Sequence, residues 1–537
     1  MEPEQFDYVV VGAGSSGAVL ASRLAENRKT SVILLEAGEP RQNDFWITVP
    51  IGIGKVLHDE RYVWPSTTCA QSSLAGQEIY WPHGRIVGGS SSVNGMLHVR
   101  GEPAEYDYWR NLGNRGWGYD DLLPYFKRLE NCDAGDAAIR GKGGPINVTD
   151  LSGKSDALSA AFHEACVSTG IPANPDYNGV SYEGVSYLQM SVRKGRRSGT
   201  AAGYLKNPPA NLEIRTGCHA NRIIFDGHTA TGVEYDREGS LGKLSAQREV
   251  LVCCGPIKSP QLLELSGVGD AERLKIFGIE VVRHLPEVGE NLIDHLQSRI
   301  NFRCTLPITI NDHLNSRFRM LALGAGYLLT RRGVMATSGA SVHALARADP
   351  ADTRPTVKIQ LHHLSAKDRY LVRSGQGLDP HSGFSIGFFQ LRPQSRGSLH
   401  ITSPSPQIDP LIDPAYLTDE EDVKTAIKAF KLSRSISDNP AISPLVVAET
   451  LPGSAIRTDD EILSYIKQSG QTSWHPIGTC RMGVDPGAVV TPELIVQGTR
   501  NLRIVDSSIM PTMPSSNTNV PAIMIGEKGA DLVRSNS

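Results

Sequence analysis

The sequence predicts an α/β fold, α+β overall, in which strands alternate with helices around a parallel sheet. Three observations predict it. Residues 6–11 are aromatic and then β-branched, with little charge, and read as a buried strand. This run passes directly into Gly12-Ala13-Gly14-Ser15-Ser16-Gly17, an apolar helical stretch at 18–24, and a second strand at 31–35 that ends on Glu36. Further on, a strong strand at 249–254 leads into a second glycine–proline turn and a helix. The length of 537 residues suggests two or more domains, and a core of that size needs no disulfide staples.

Each part of the first unit has a physical reason. Gly12 permits the tight turn, Gly14 lets backbone approach a pyrophosphate, and Gly17 lets helix and strand pack closely. Free amides and the dipole at the helix start hold phosphates. A carboxylate at Glu36 sits where it binds ribose hydroxyls. Strand, glycine spacing and acid agree, so the segment reads as a dinucleotide site rather than a chance glycine turn. Glu36 opposes a 2′-phosphate and argues against NADP. NAD and FAD both stay open on these residues alone, with the position at residue 12 of a long chain and no second copy favouring FAD.

Composition narrows the class. The 54 basic and 57 acidic residues nearly cancel, giving a net charge of −3. This excludes a strongly cationic nucleic-acid binder, and the densest basic stretch, Arg193 to Arg197, reads as a solvated turn. No run of 18 or more apolar residues occurs, so no transmembrane helix is expected. The polar, acidic start Met1-Glu2-Pro3-Glu4-Gln5 does not resemble a secretory signal, and the terminal Ser-Asn-Ser is not a peroxisomal address. Eight cysteines without paired zinc spacing predict no metal site, and Cys253 and Cys254 read as two buried strand residues. The expected location is cytoplasmic, with reduced thiols and with peripheral membrane association left open.

Two further glycine clusters carry more. Gly84-Arg85-Ile86-Val87-Gly88-Gly89-Ser90-Ser91-Ser92-Val93-Asn94 suits neither helix nor strand interior, because glycine costs about 1 kcal/mol there and serine competes with backbone bonding. The apolar residues on either side favour an ordered loop with close packing. The segment from Gly255 to Gly269 reads as a helix that starts at Ser259-Pro260 and stops at Ser266-Gly267. These two segments resemble the two signatures of the glucose–methanol–choline (GMC) oxidoreductase family, which binds FAD. The first departs at His98, where the family usually has an aromatic residue or alanine; the second matches throughout. The resemblance continues through Leu285-Pro286-Glu287-Val288-Gly289-Glu290-Asn291-Leu292-Ile293-Asp294-His295 and from Trp474 to Glu527, and so spans nearly the whole chain.

The resemblance implies that the loop from Gly84 to Leu97 lines the flavin, with Asn94 near the isoalloxazine. Some members attach FAD through a histidine just before this asparagine; Val93 stands there, so non-covalent FAD is expected. It also places Asp506 and Ser507 near the pyrophosphate and ribityl chain. The remaining residues assigned to the cofactor are Ser15, Ser16, Ala37, Trp64, Arg85, Val87, Gly89, Ser90, Gly95, Met96, Leu97, Ala220, Gly255, Trp474 and Val520.

Alcohol oxidation on a flavin needs a base for the hydroxyl proton and a polar group to hold the developing alkoxide, and histidine suits the first task. His475 and Asn519 match the family's histidine/asparagine pair. The implied organisation is a discontinuous, Rossmann-like FAD domain (1–155, 211–297 and 468–537). An inserted substrate domain (156–210 and 298–467) is built on an antiparallel sheet backed by helices. Within it, 384–391 and 398–402 read as strands flanking a turn and 421–436 as an amphipathic helix.

The stretch aligned with the choline-type glutamate, Ala336 to His343, contains no acid, which disfavours choline. Phe388, Phe389 and His343 read either as pocket lining or as core. The expected substrate is a neutral primary alcohol, aromatic, aliphatic or polyol-like. The flavin is reoxidised by a quinone-like acceptor or by O2, with a dehydrogenase slightly favoured over an oxidase. A monomer and a dimer are both compatible, and a hydroxynitrile-type lyase on the same fold is the alternative class.

Overall fold

The computed structural model describes residues 3–367 and 377–535. Met1, Glu2, Asn536 and Ser537, which enter the terminal readings above, lie outside the described residues.

Two seven-stranded sheets organise the chain. In the first, Glu4–Val11 runs parallel to Val32–Leu35 on one side and to Ser240–Val252 on the other. Leu212–Arg215 extends the parallel set beyond Val32–Leu35, and Leu502–Ile504 joins Ser240–Val252, also in parallel. Cys218–Asp226 and Thr229–Arg237 complete the sheet as antiparallel strands. The central strands are nearly continuous apolar runs because helices cover both faces: Tyr8 to Val11 and Val32 to Leu35 are all buried. The helices Gly17–Leu24 and Asn519–Ser535 pack on each other here, tied by Ser16 Oγ donating to the Ala522 carbonyl at 2.7 Å.

The second sheet is antiparallel, in the order Val446–Leu451, Leu296–Cys304, Gly383–Gln390, Val357–His362, Ala340–Ala346, Gly184–Tyr187, with Gln471–Thr472 also paired to Leu296–Cys304. Helices Ala157–Ser168, Glu420–Ser437 and Asp459–Ser469 bury their apolar sides against it in one core. Phe388 points into that core, edge-on to Phe430 at 5.9 Å.

The first strand, its helix, the helix at 421–436 and the strand at 384–391 all form within one or two residues of the expected bounds. Two local expectations change. The strand read at 398–402 forms at Ser398–His400 and pairs with Leu411–Asp413, after a turn held by Asp422. The amides of Gln394 and Ser395 both donate to the Asp422 carboxylate at 2.8 Å. The helix expected to start at Ser259-Pro260 starts at Gly255, with Pro260 inside it. Pro260 has no N–H to give to the carbonyl of Pro256 one turn back. The Thr479 hydroxyl supplies that hydrogen bond instead, at 2.7 Å, so the helix continues. All eight cysteines are free.

Candidate active site

A cavity of about 780 Å³ runs from the first glycine turn to the face of the antiparallel sheet. Its dinucleotide end is lined by Gly12, Gly14, Ser15, Ser16, Glu36 and Ala37, with Trp64 and Ala220 further along. Its middle is lined by Gly89, Ser90, Asn94, Gly95, Met96, Leu97, Gly255, Asp506 and Ser507, and its far end by Trp474 and His475, while Asn519 lines it beside Ser15. Four residues assigned to the cofactor stand behind this lining. Gly17 packs against the turn, Arg85 stacks on the Trp64 ring at 4.4 Å, and Val87 and Val520 are buried.

At the dinucleotide end the glycines answer to contact. A Cβ at residue 17 would stand 1.9 Å from the Gly12 carbonyl oxygen, and one at residue 89 would stand 2.7 Å from Gly14 Cα. The second glycine cluster thus lies directly on the first, fastened by the Gly88 amide donating to the Ala13 carbonyl at 2.7 Å. The nearest obstacle at residue 17 is backbone, with Cys253 Cβ next at 2.8 Å, so Gly17→Ala is expected to cost about 1–3 kcal/mol and to loosen FAD. A lower Tm, with free flavin appearing on gel filtration, checks this.

Glu36 is buried and accepts from the Ala13 amide at 3.0 Å and the Gly38 amide at 2.8 Å. Burial pushes its carboxyl up to about 7, opposed by those amides. Asp506 is held in a similar way: its carboxylate accepts from the Gly255 amide at 2.9 Å, the Ser259 hydroxyl at 2.6 Å and the Ser508 amide at 2.8 Å. It fixes the start of the Gly255–Leu265 helix at the cavity wall, while burial pushes its own carboxyl up. Asn94 is held through its Oδ1, which accepts from the Met96 amide at 3.0 Å and from buried Arg197 at 2.8 Å. Met96 takes a left-handed φ of 61°, stiffening this bend.

His475 sits in a turn bracketed by the strand that enters the second sheet. Thr472 pairs with Leu296, the Ser473 amide donates to the His295 carbonyl at 2.9 Å, and Ile477 bridges to Ile293. The Asp294 carboxylate closes the turn, accepting from the His475 amide at 2.7 Å, from Thr472 Oγ1 at 2.6 Å and from Tyr416. The bracketing brings His295 Nδ1 to 3.0 Å from His475 Nδ1.

The tautomers follow from the acceptors at each end. His295 Nε2 faces the Leu391 carbonyl at 3.0 Å, which only accepts, so Nε2 carries the proton and Nδ1 accepts from His475 Nδ1–H. At the other end Asn517 Oδ1 accepts from Lys358 Nζ at 2.8 Å, which turns the amide nitrogen toward His475 Nε2 at 2.8 Å. His475 Nε2 is therefore an unprotonated nitrogen beside an amide donor. Burial holds His475 well below the ordinary histidine range, helped by the positive charges that His295 and Lys358 would carry. His295 is lowered to about 4, chiefly by burial.

The amide beside His475 is thus that of Asn517, not of Asn519. Asn519 lies on the opposite wall, where its Oδ1 accepts from Ser15 Oγ at 2.8 Å. The helix begins at Asn519, so residues 517 and 519 leave the chain on different sides of the cavity. Sequence spacing does not distinguish two asparagines flanking one threonine. Lys358 and His295 also went unassigned. His295 stands in a motif quoted for the resemblance, whereas Lys358 lies in a strand with no local signal. Of the three candidate lining residues, Phe389 lines the cavity, while Phe388 and His343 do not. His343 is buried edge-on to Tyr177 at 4.3 Å.

Comparison with known proteins decides the family. Models of the GMC oxidoreductase family match residues 6–297 and 393–526. The chain belongs to the GMC oxidoreductase family. It is 39% identical to the mitochondrial choline dehydrogenase of Homo sapiens, over 99% of this chain and 90% of that one. It is 38% identical to alcohol dehydrogenase [acceptor] of Pseudomonas putida, over 98% of this chain and 95% of that one. The crystal structure of pyridoxine 4-oxidase from Mesorbium loti superposes with a TM-score of 0.88 at 31% identity, covering 98% of both chains.

This GMC oxidoreductase is an FAD-dependent enzyme acting on CH–OH groups. The cavity fits that cofactor. A carboxylate stands at its ribose end, a close glycine–glycine backbone cradle at its middle, and a neutral histidine with an amide donor at its far end. No helix among the described residues is long and apolar enough to cross a membrane.

Proposed function

We propose that this GMC oxidoreductase oxidises a neutral primary alcohol, aromatic, aliphatic or polyol-like, to the aldehyde, with His475 as the base and Asn517 as its partner. The observation that carries the reading is the fixed protonation pattern: an unprotonated His475 Nε2 and the Asn517 amide nitrogen 2.8 Å apart at the cavity wall. A substrate hydroxyl placed against both gives its proton to Nε2 and takes a hydrogen bond from Asn517 Nδ2 as negative charge develops on oxygen. His295 is a positioning residue. It holds the His475 ring by accepting from Nδ1–H, and its own Nε2–H is committed to a carbonyl. FAD, when bound along this wall, would supply the two-electron acceptor of the reaction.

The cavity wall supports a neutral substrate. Among the described residues its only carboxylates are Glu36 and Asp506, both at the cofactor and both held by backbone amides. The substrate end presents Gln297, Gln360, His362, Phe389 and Ser338 to Ala340, with Arg299 among them. A quaternary ammonium is attracted by carboxylates and aromatic faces and repelled by such a cation. Choline is the second reading, favoured by the names of the relatives. The division into an FAD domain (1–155, 211–297, 468–537) and a substrate domain (156–210, 298–467) is part of the proposal, one seven-stranded sheet forming the core of each.

An anaerobic panel of benzyl alcohol, straight-chain alcohols, polyols and choline tests the reading. The neutral alcohols are expected to bleach the flavin and choline to leave it oxidised; bleaching by choline alone overturns it, and no bleaching by any alcohol points to the lyase class. Reoxidation of the bleached enzyme by a quinone analogue faster than by O2 is expected for a dehydrogenase. Non-covalent attachment is proposed on the same footing, since Val93 lines the cavity at the position before Asn94 and offers no nucleophile. Acid precipitation is expected to release all the flavin to the supernatant; a yellow pellet contradicts it.

A further inference from the structure

Among the described residues, the most exposed large apolar side chains lie on the helix Arg317–Thr330. Phe318 is 87% exposed, Leu321 69% and Leu329 86%, and Tyr327 is the one buried residue of the helix. Exposed apolar surface of this extent marks an interaction site. The helix and its C-terminal end, from Arg317 to Arg332, carry four arginines and no acidic residue.

Beside the helix stands the hairpin formed by Val192–Arg193 and Arg196–Arg197. The Tyr327 hydroxyl donates to the Gly195 carbonyl at 2.9 Å, which ties the hairpin to the helix. Arg193, Lys194 and Arg196 are exposed there. The basic stretch that reads as a solvated turn thus extends a cationic rim around an apolar crest. No ion pair joins these seven basic residues to a carboxylate among the described residues.

We propose that this helix is a docking element that lies in the plane of an anionic lipid surface. An apolar crest with a basic rim complements acyl chains beneath negatively charged headgroups. Fourteen residues make a helix of about 21 Å, too short to span a bilayer and suited to lying within its interface. Met320, Leu323 and Leu328 of the same helix line the cavity. Docking therefore sets the cavity rim against lipid, where an apolar alcohol or a lipid-soluble acceptor partitions. That consequence rests on the oxidation reading above; the docking itself does not.

Flotation of the holoenzyme with vesicles tests the proposal. The enzyme is expected to float with phosphatidylcholine–phosphatidylglycerol vesicles at low salt, to stay behind with phosphatidylcholine alone, and to be released by high salt. The variant carrying Phe318→Ser, Leu321→Ser and Leu329→Ser is expected to lose about tenfold or more of the binding, while keeping its flavin absorbance and its turnover of soluble alcohols. Absence of flotation on anionic vesicles, or flotation of the triple variant at the wild-type level, overturns it. A dimer that the triple variant dissociates, in a protein that does not float, assigns the crest to a second copy of the chain and overturns it too.

Discussion

Replacing His475 by alanine is expected to slow anaerobic flavin reduction by about 10²–10⁴-fold with the FAD retained. The cavity wall that would hold the cofactor does not depend on this side chain, whereas the proposed reaction needs its Nε2. His475→Gln keeps a polar partner for Asn517 without a base, and is expected to be as slow as alanine. Recovery of more than a small part of the rate by glutamine would make His475 a spacer rather than a base. The pH dependence adds a second check. Burial and the neighbouring His295 and Lys358 hold His475 below the ordinary histidine range, so it stays neutral and competent as pH falls through 6.5. The kcat/KM profile is therefore expected to fall only at more acidic pH, where Nε2 takes a proton before the substrate arrives. A limb centred at the ordinary histidine value means that the ring is solvated in the free enzyme.

Replacing Lys358 by methionine is expected to lower kcat by about tenfold to a hundredfold, the value of a hydrogen bond from a charged donor, with little change in KM. Lys358 is buried, and its Nζ donates to Asn517 Oδ1 at 2.8 Å and Ser516 Oγ at 3.2 Å. Without it only the longer hydrogen bond from the Ser516 hydroxyl, at 3.2 Å, holds Asn517 Oδ1 away from His475. Lys358 is a positioning residue, and its effect should disappear when Asn517 is already alanine, the double variant matching the single one. Stability should move the other way. Burial lowers the Lys358 ammonium from 10.5 to about 7 in the folded protein. Between those two values the unfolded chain holds more protons, so stability rises with pH over that window. At and below pH 7 the buried lysine costs the fold most. Methionine is expected to raise the Tm at pH 7 and to flatten its rise toward pH 10. A variant that loses both activity and stability would make Lys358 a structural strut.

The local parts of this enzyme were legible because each is written within a few residues. Gly12, Gly14, Gly17 and Glu36 carry their spacing on the page, and the structure places all but Gly17 on the cavity wall, with Gly17 where helix meets strand. The alternation of strands and helices, the serine-rich loop and the histidine turn were legible for the same reason. A misreading arose where a distant group overruled a local rule. Pro260 should have begun a helix, but Thr479 supplies the hydrogen bond its missing amide would have made.

The proposed catalytic pair shows where the division falls. His475 and the neighbourhood of residues 517 to 519 follow from the sequence, because motif and chain order suffice to name them. That Asn517 rather than Asn519 meets His475 follows only from the direction in which the chain enters the helix Asn519–Ser535. That His475 presents an unprotonated Nε2 depends on the Leu391 carbonyl at one end of a hydrogen-bonded chain and Lys358 at the other. These residues are remote from His475 in sequence and come together when the antiparallel sheet closes over the cavity. Sequence by itself determined the fold class and a dinucleotide site, which rest on short-range geometry, and its resemblance to the GMC family pointed to FAD and to the kind of reaction. Only the tertiary structure decided which proton sits on which nitrogen, because hydrogen-bond partners in a buried site are chosen by the folding of distant strands.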